Sequence, residues 1–128
     1  MKWMVIFVLS LFFLACEKET TEIDVISGEW EWLRSWDGFA GMMRTPQSSG
    51  DTEFILISSD YIFKMYINDT LFIESSFTIR ENESISYRKI IGLDDDFINY
   101  SYELYSRDSL MLIPLITDCP VAYYHRVK

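Results

Sequence analysis

Residues 52–80 read TEFILISSDYIFKMYINDTLFIESSFTIR, and their alternation decides the fold class. Phe54, Leu56 and Ser58 alternate with Glu53, Ile55 and Ile57. Tyr61, Phe63, Met65 and Ile67 alternate with Ile62, Lys64 and Tyr66. Leu71, Ile73, Ser75, Phe77 and Ile79 then alternate with Phe72, Glu74, Ser76, Thr78 and Arg80. A period of two is the signature of a pleated strand with one face buried, and nothing here follows the helical period. Ser58-Ser59-Asp60 and Asn68-Asp69 separate the three runs at hairpin spacing. Asn and Asp suit such turns because both tolerate positive φ.

The same pattern extends in both directions. Ile98, Tyr100, Tyr102 and Leu104 alternate with Phe97, Asn99, Ser101 and Glu103, and further turn signals fall at 81–84, 92–96 and 106–108. Strands are expected at about 28–36, 52–58, 61–67, 70–80, 85–91, 97–105, 109–113 and 121–127, with no helix between them. Aromatic residues make up 16% of the chain and fall mostly inside these runs, where a half-buried pleated surface favours them. Eight short consecutive strands remove their edges most economically by closing on themselves. The expected fold is therefore all-β, a small eight-stranded antiparallel up-and-down barrel; a sandwich is the second architecture. Residues 37–50 break the rhythm, and a connection that long is commonly a lid or binding loop.

The N-terminus has a different character. Met1-Lys2 precedes an uncharged run from Trp3 to Ala15, and Glu17-Lys18-Glu19 follows Cys16. That layout is a secretory signal, its apolar run too short for a membrane span of about 20 residues. Cys16 after Leu14-Ala15 resembles the lipobox of bacterial lipoproteins, with Phe13 where an aliphatic residue is usual. The resemblance implies cleavage after residue 15, acylation of Cys16 by a fatty acid such as palmitate, and a location in the bacterial cell envelope, the outer membrane in the first instance. The expected organisation is a signal peptide at 1–15, an acylated cysteine with a tether at 16–26, and one barrel domain at 27–128. Acylation of Cys16 would leave Cys119 a lone thiol, expected to pack in the core as a small hydrophobe.

The formal charge is −9, and loss of Lys2 with the signal makes it more negative. No basic patch is available for nucleic acid or for anionic lipid, so no nucleic-acid partner is expected.

Gly28-Glu29-Trp30 opens the first expected strand, and Arg126 lies near the end of the last. This pair resembles the G-x-W and closing arginine of lipocalins, and the Gly-Phe-Ala-Gly loop at 38–41 resembles small lipocalin-like domains of bacterial lipoproteins. The resemblance covers about residues 27–128. It implies that Gly28, Trp30 and Arg126 close one barrel end, with the guanidinium on the indole face. It also implies a small hydrophobic or amphipathic ligand, for which Trp32, Phe39, Met42, Met43, Phe63, Tyr100 and Tyr102 are the candidate contacts. The chain is shorter than true lipocalins. Trp30, Trp32, Phe54, Phe63, Phe77, Tyr87, Tyr100, Tyr102 and Leu112 are bulky enough to fill an eight-stranded interior. A filled-core module that binds an envelope protein is therefore the competing expectation, and an inhibitor-like plug presenting 37–50 is a third.

Catalytic and metal chemistry finds little footing. His125 is the only histidine, and a His-based metal site wants companions. Cys119 and His125 are about 20 Å apart if extended. Glu29 and Glu31 flank Trp30 on the face expected to meet solvent. Asp94-Asp95-Asp96 lacks the glycine and ligand spacing of a calcium loop. No cofactor, metal or catalytic residue is expected, and the chain is not read as an enzyme. The partners expected are membrane lipid through Cys16, a small ligand, and an envelope protein in the competing case.

Overall fold

A computed structural model describes residues 21–38, 40–81, 88–95, 98–116 and 119–127. The segment expected as a signal peptide, Cys16, Phe39 and Tyr87 lie outside the described residues. The elements run α1 (Glu22–Ile26), β1 (Gly28–Asp37), β2 (Met42–Arg44), α2 (Pro46–Ser49), β3 (Glu53–Ile57), β4 (Ile62–Ile67), β5 (Thr70–Glu81), β6 (Lys89–Leu93), β7 (Asn99–Ser106), β8 (Ser109–Pro114) and β9 (Val121–Arg126). Every neighbouring pair is antiparallel from β3 through β9, and β9 returns to β1 with Trp30 opposite Arg126 and Trp36 opposite Val121. The result is a closed eight-stranded antiparallel barrel plus one extra strand, β2, so the sandwich alternative is set aside.

Cross-strand register fixes which faces point inward. Trp30 stands opposite Ile55, which stands opposite Met65, which stands opposite Ile73. Residues directly opposite share a face, so this whole row belongs to the core. Ile57 and Phe63 form the next row. The interior also holds Trp32, Phe77, Ile91, Leu93, Tyr100, Tyr102, Leu110, Leu112 and Tyr124 in one continuous cluster. Phe63 is fully buried, and its ring lies 5.8 Å from that of Tyr100 at 23°. Bulky side chains fill the barrel's centre, as an eight-stranded interior permits.

Phe54 corrects the expected interior. It is half-buried on the outside against Tyr66, at 6.3 Å between ring centroids. Trp30 and Met65 claim Ile55 for the core, and a one-residue step puts Phe54 on the other face. Glu53 is thereby turned inward.

Part of the segment expected as a tether at 16–26 packs on the barrel. Glu22–Ile26 forms a helical turn that buries Ile23 and Ile26 in the core cluster. Thr21 starts it, with both its backbone N–H and its hydroxyl donating to Asp24 Oδ2 at 3.3 and 2.8 Å. Two barrel side chains hold its C-terminal side with three hydrogen bonds. The Trp30 indole donates to the Ile26 carbonyl at 2.9 Å. The Arg126 guanidinium donates to the carbonyls of Ser27 and Val25, both at 2.6 Å, and lies 4.2 Å from the Trp30 ring. These carbonyls are the acceptors a helix leaves unsatisfied at its end. Glu22 adds a latch, paired with Lys89 at 2.7 Å and accepting from the Tyr102 hydroxyl at 2.9 Å. Lys89 and Tyr102 together hold the Glu22 carboxyl below its ordinary range despite partial burial. Gly28, at φ 140°, makes the turn from this plug into β1, a backbone conformation that a side chain would strain.

Candidate ligand mouth

The opposite barrel end is open. β3 lies on one edge of β1 over Gly28–Glu31, and β2 continues that edge over Ser35–Asp37. β2 therefore raises the rim beside the start of β3. Thr45 caps α2 and Pro46 occupies its first turn, while Gly50 ends it at φ 73°. Residues 42–50, expected as an unstructured connection, are thus a short strand and a helical turn. Arg44 secures them, paired with Asp51 at 2.5 Å. Asp51 also accepts from the Asn68 amide at 2.9 Å, and Asn68 Oδ1 accepts from the Thr52 backbone at 2.8 Å. Asn68 and Arg44 hold the exposed Asp51 carboxyl below its ordinary range.

A cavity of about 220 Å³ opens at this end. Met65, Ile98, Tyr100, Leu112, Ile116 and Ala122 supply its apolar wall, and Ser35, Arg44, Glu53, Cys119 and Tyr124 its polar one. The Arg44 guanidinium lies 5.2 Å from the Trp32 ring, whose indole donates to Ser35 Oγ at 2.9 Å. A few convergent polar groups on a mainly apolar wall are the usual make-up of a small-molecule site, although 220 Å³ is below the usual size.

Glu53 is the unusual group. Its carboxylate accepts from the hydroxyl of the buried Tyr124. Burial pushes its pKa above 4.5, opposed by the Tyr124 hydrogen bond and the Arg44 charge. Burial and the Glu53 charge push the Tyr124 phenol well above its ordinary value. A carboxyl whose folded pKa is raised contributes stability fully present below its unfolded value and lost as pH rises through the folded one. Glu53→Gln keeps an acceptor for Tyr124 and removes the charge. We expect it to raise Tm at pH 7 by about 5 °C. The two proteins should converge below pH 4.5, the ordinary carboxyl value. Equal Tm values throughout, read by circular dichroism, would mean that Glu53 is well solvated.

The structure distributes the expected ligand contacts unevenly. Tyr100 lines the cavity, and Trp32 lies beneath Arg44. Phe63 is sealed in the core, while the Tyr102 hydroxyl is engaged at the plugged end. Met42 and Met43 are exposed on β2 and form no part of the cavity wall. Cys119, expected in the core, is an exposed thiol at the mouth. Gly28, Trp30 and Arg126 meet at the plugged end. Glu53, Arg44 and Tyr124 were not singled out from the sequence. The period of two sets Glu53 on one face with Ile55 and Ile57 and Phe54 on the other, and only cross-strand register decides which face is inward.

Other hollows lie elsewhere among the described residues. One of about 460 Å³ runs past Leu33, Arg34, Tyr105 and Tyr123, with Arg34 4.7 Å from the Tyr123 ring and Tyr105 stacked on Tyr123. Another, of about 330 Å³, lies beside α1 at Glu22, Lys89 and Tyr102. Glu31 pairs with His125 at 3.5 Å, so it faces β9 instead of acting with Glu29. Among the described residues, no group of three or more His, Cys, Asp or Glu is placed to hold a metal ion, and no helix is long and apolar enough to cross a membrane.

The fold and site together define a closed, plugged β-barrel with a small mouth. No protein family, curated protein or solved structure matches the chain.

Proposed function

We propose that this protein is a lipid-anchored barrel of the bacterial cell envelope that binds a small amphipathic molecule at its mouth. The observation that carries this reading is the cavity of about 220 Å³, where apolar walls meet Glu53, Arg44, Ser35 and Tyr124. The filled core beneath it restricts the ligand to a short one. A long acyl chain has no room to descend past Trp32 and Phe63. Binding would come from apolar burial at about 25 cal/mol per Å², with the polar groups setting orientation. The anchor is assigned to Cys16 on its place after the apolar run, and it would keep an acidic domain at a membrane that its charge does not favour. The larger outer hollow at Tyr105 and Tyr123 favours a second reading, a module that docks on an envelope protein.

Calorimetric titration with n-hexanol tests the first reading, which expects saturable binding by the wild type and none of a long-chain fatty acid. Flat titration with both would move the assignment to the docking module. Cys16→Ser is expected to leave the membrane fraction or remain unprocessed. A variant that stays membrane-bound and is normally cut would contradict the anchor.

A further inference from the structure

We propose that the mouth selects a ligand with a cation at one end of a short apolar body, and that the Glu53 carboxylate receives the cation. This rests on the reading of the mouth as a ligand site and names the chemical class that site would take.

Register is the first reason. Glu53 shares the inward face of β3 with Ile55 and Ile57, so its carboxylate is built into the cavity wall. The second is that its charge is not neutralised there. Among the described residues Glu53 makes no ion pair within 4 Å, and its hydrogen bond comes from the neutral Tyr124 hydroxyl through Oε1. An ionised carboxylate has about four acceptor sites, so room remains for a donor. Arg44 is the nearby cation, but its guanidinium is committed to Asp51 at 2.5 Å and lies over Trp32. Arg44, Asp51 and Glu53 together leave the mouth one negative charge. An anionic ligand would meet that charge, whereas an ammonium group would offset it. The third reason is the wall around Glu53. Tyr100 and Tyr124 contribute aromatic side chains to it, and Met65, Ile98, Leu112 and Ile116 can bury a short chain. A net charge of −9 would also draw cations toward the surface. A carboxylate held partly dehydrated without a counter-ion in direct contact is costly for a purely structural position, which an amide would fill as well.

Matched calorimetric titrations of the full-length protein with n-hexylamine, n-hexanol and hexanoate at pH 7 test this. Hexylamine should bind at least about tenfold more tightly than hexanol, the usual advantage of a charge-assisted hydrogen bond, and hexanoate more weakly than either. Glu53→Gln, checked for cooperative unfolding, should bring hexylamine within about threefold of hexanol. The preference should also fade between pH 7 and pH 4 as Glu53 takes up a proton, while the amine itself stays protonated. The charged or titratable groups facing this point are Arg44 on β2, Asp51 beside it, Tyr100 on β7, Tyr124 on β9 and Cys119 before β9. If hexanol binds and hexylamine gains nothing, the cation assignment fails while the mouth remains a ligand site. If none of the three binds, both fall. A hexylamine preference that survives Glu53→Gln would place the cation elsewhere and overturn the proposal.

Discussion

Trp30→Ala is expected to destabilise the barrel by about 3–5 kcal/mol, the range for deleting a large buried aromatic. Trp30 is fully buried and does three jobs at the plugged end. It fills the core above Ile26, donates to the Ile26 carbonyl, and supplies the face on which the Arg126 guanidinium lies at 4.2 Å. Alanine removes all three, and the orphaned carbonyl adds a desolvation cost. Since domains of this size are stable by only about 5–15 kcal/mol, the variant should sit near the edge of folding at 37 °C. Urea unfolding measures the loss. Arg126→Ala alone should also destabilise, because its two hydrogen bonds to the Val25 and Ser27 carbonyls disappear. The double variant should be less damaged than the sum, since the two side chains touch. Strict additivity would contradict a shared plug, as would a loss below about 1 kcal/mol for Trp30→Ala.

Phe63→Ala should cost a similar amount, about 3–5 kcal/mol, at the other critical point. Its ring is sealed between the mouth wall and the barrel centre, 5.8 Å from Tyr100. Truncation should leave a dry apolar void there, because Ile57 and the strand backbones around it are held by the closed sheet and can collapse only in part. Such voids take up small apolar molecules. Benzene should therefore raise the Tm of the variant more than that of the wild type. A loss below about 1 kcal/mol would mean that the interior already has room to spare, enough for a longer ligand to enter.

The fold was legible because alternation and turn signals are local. Asn68 and Asp69 both adopt positive φ, at 51° and 64°, as a two-residue turn there requires. The strands fall within a few residues of their expected positions, and Arg126 lies over the Trp30 ring. Three features were hidden for physical reasons. Glu22–Ile26 is too short to show a helical period, although Ile23 and Ile26 have helical spacing after a capping Thr21. β2 is a three-residue strand whose side chains are all exposed, so no alternation marks it. Glu53 sits inward only because cross-strand register outweighs the preference of a carboxylate for water. Register is a property of pairs of strands and is not written in either one. Tyr124 and Arg44 become visible as site residues only once β9, β2 and β3 have been brought together.

A filled barrel that binds only at its mouth should show this in methyl-resolved NMR spectra of the purified protein, recorded while n-hexylamine is added. The methyl groups of Met65, Ile98, Leu112, Ile116 and Ala122 should shift together and saturate, with Ile57 and Ile91 in the core unmoved. Shifts centred instead on Leu33 beside Tyr105 and Tyr123, or running down into Ile57 and Ile91, would contradict it.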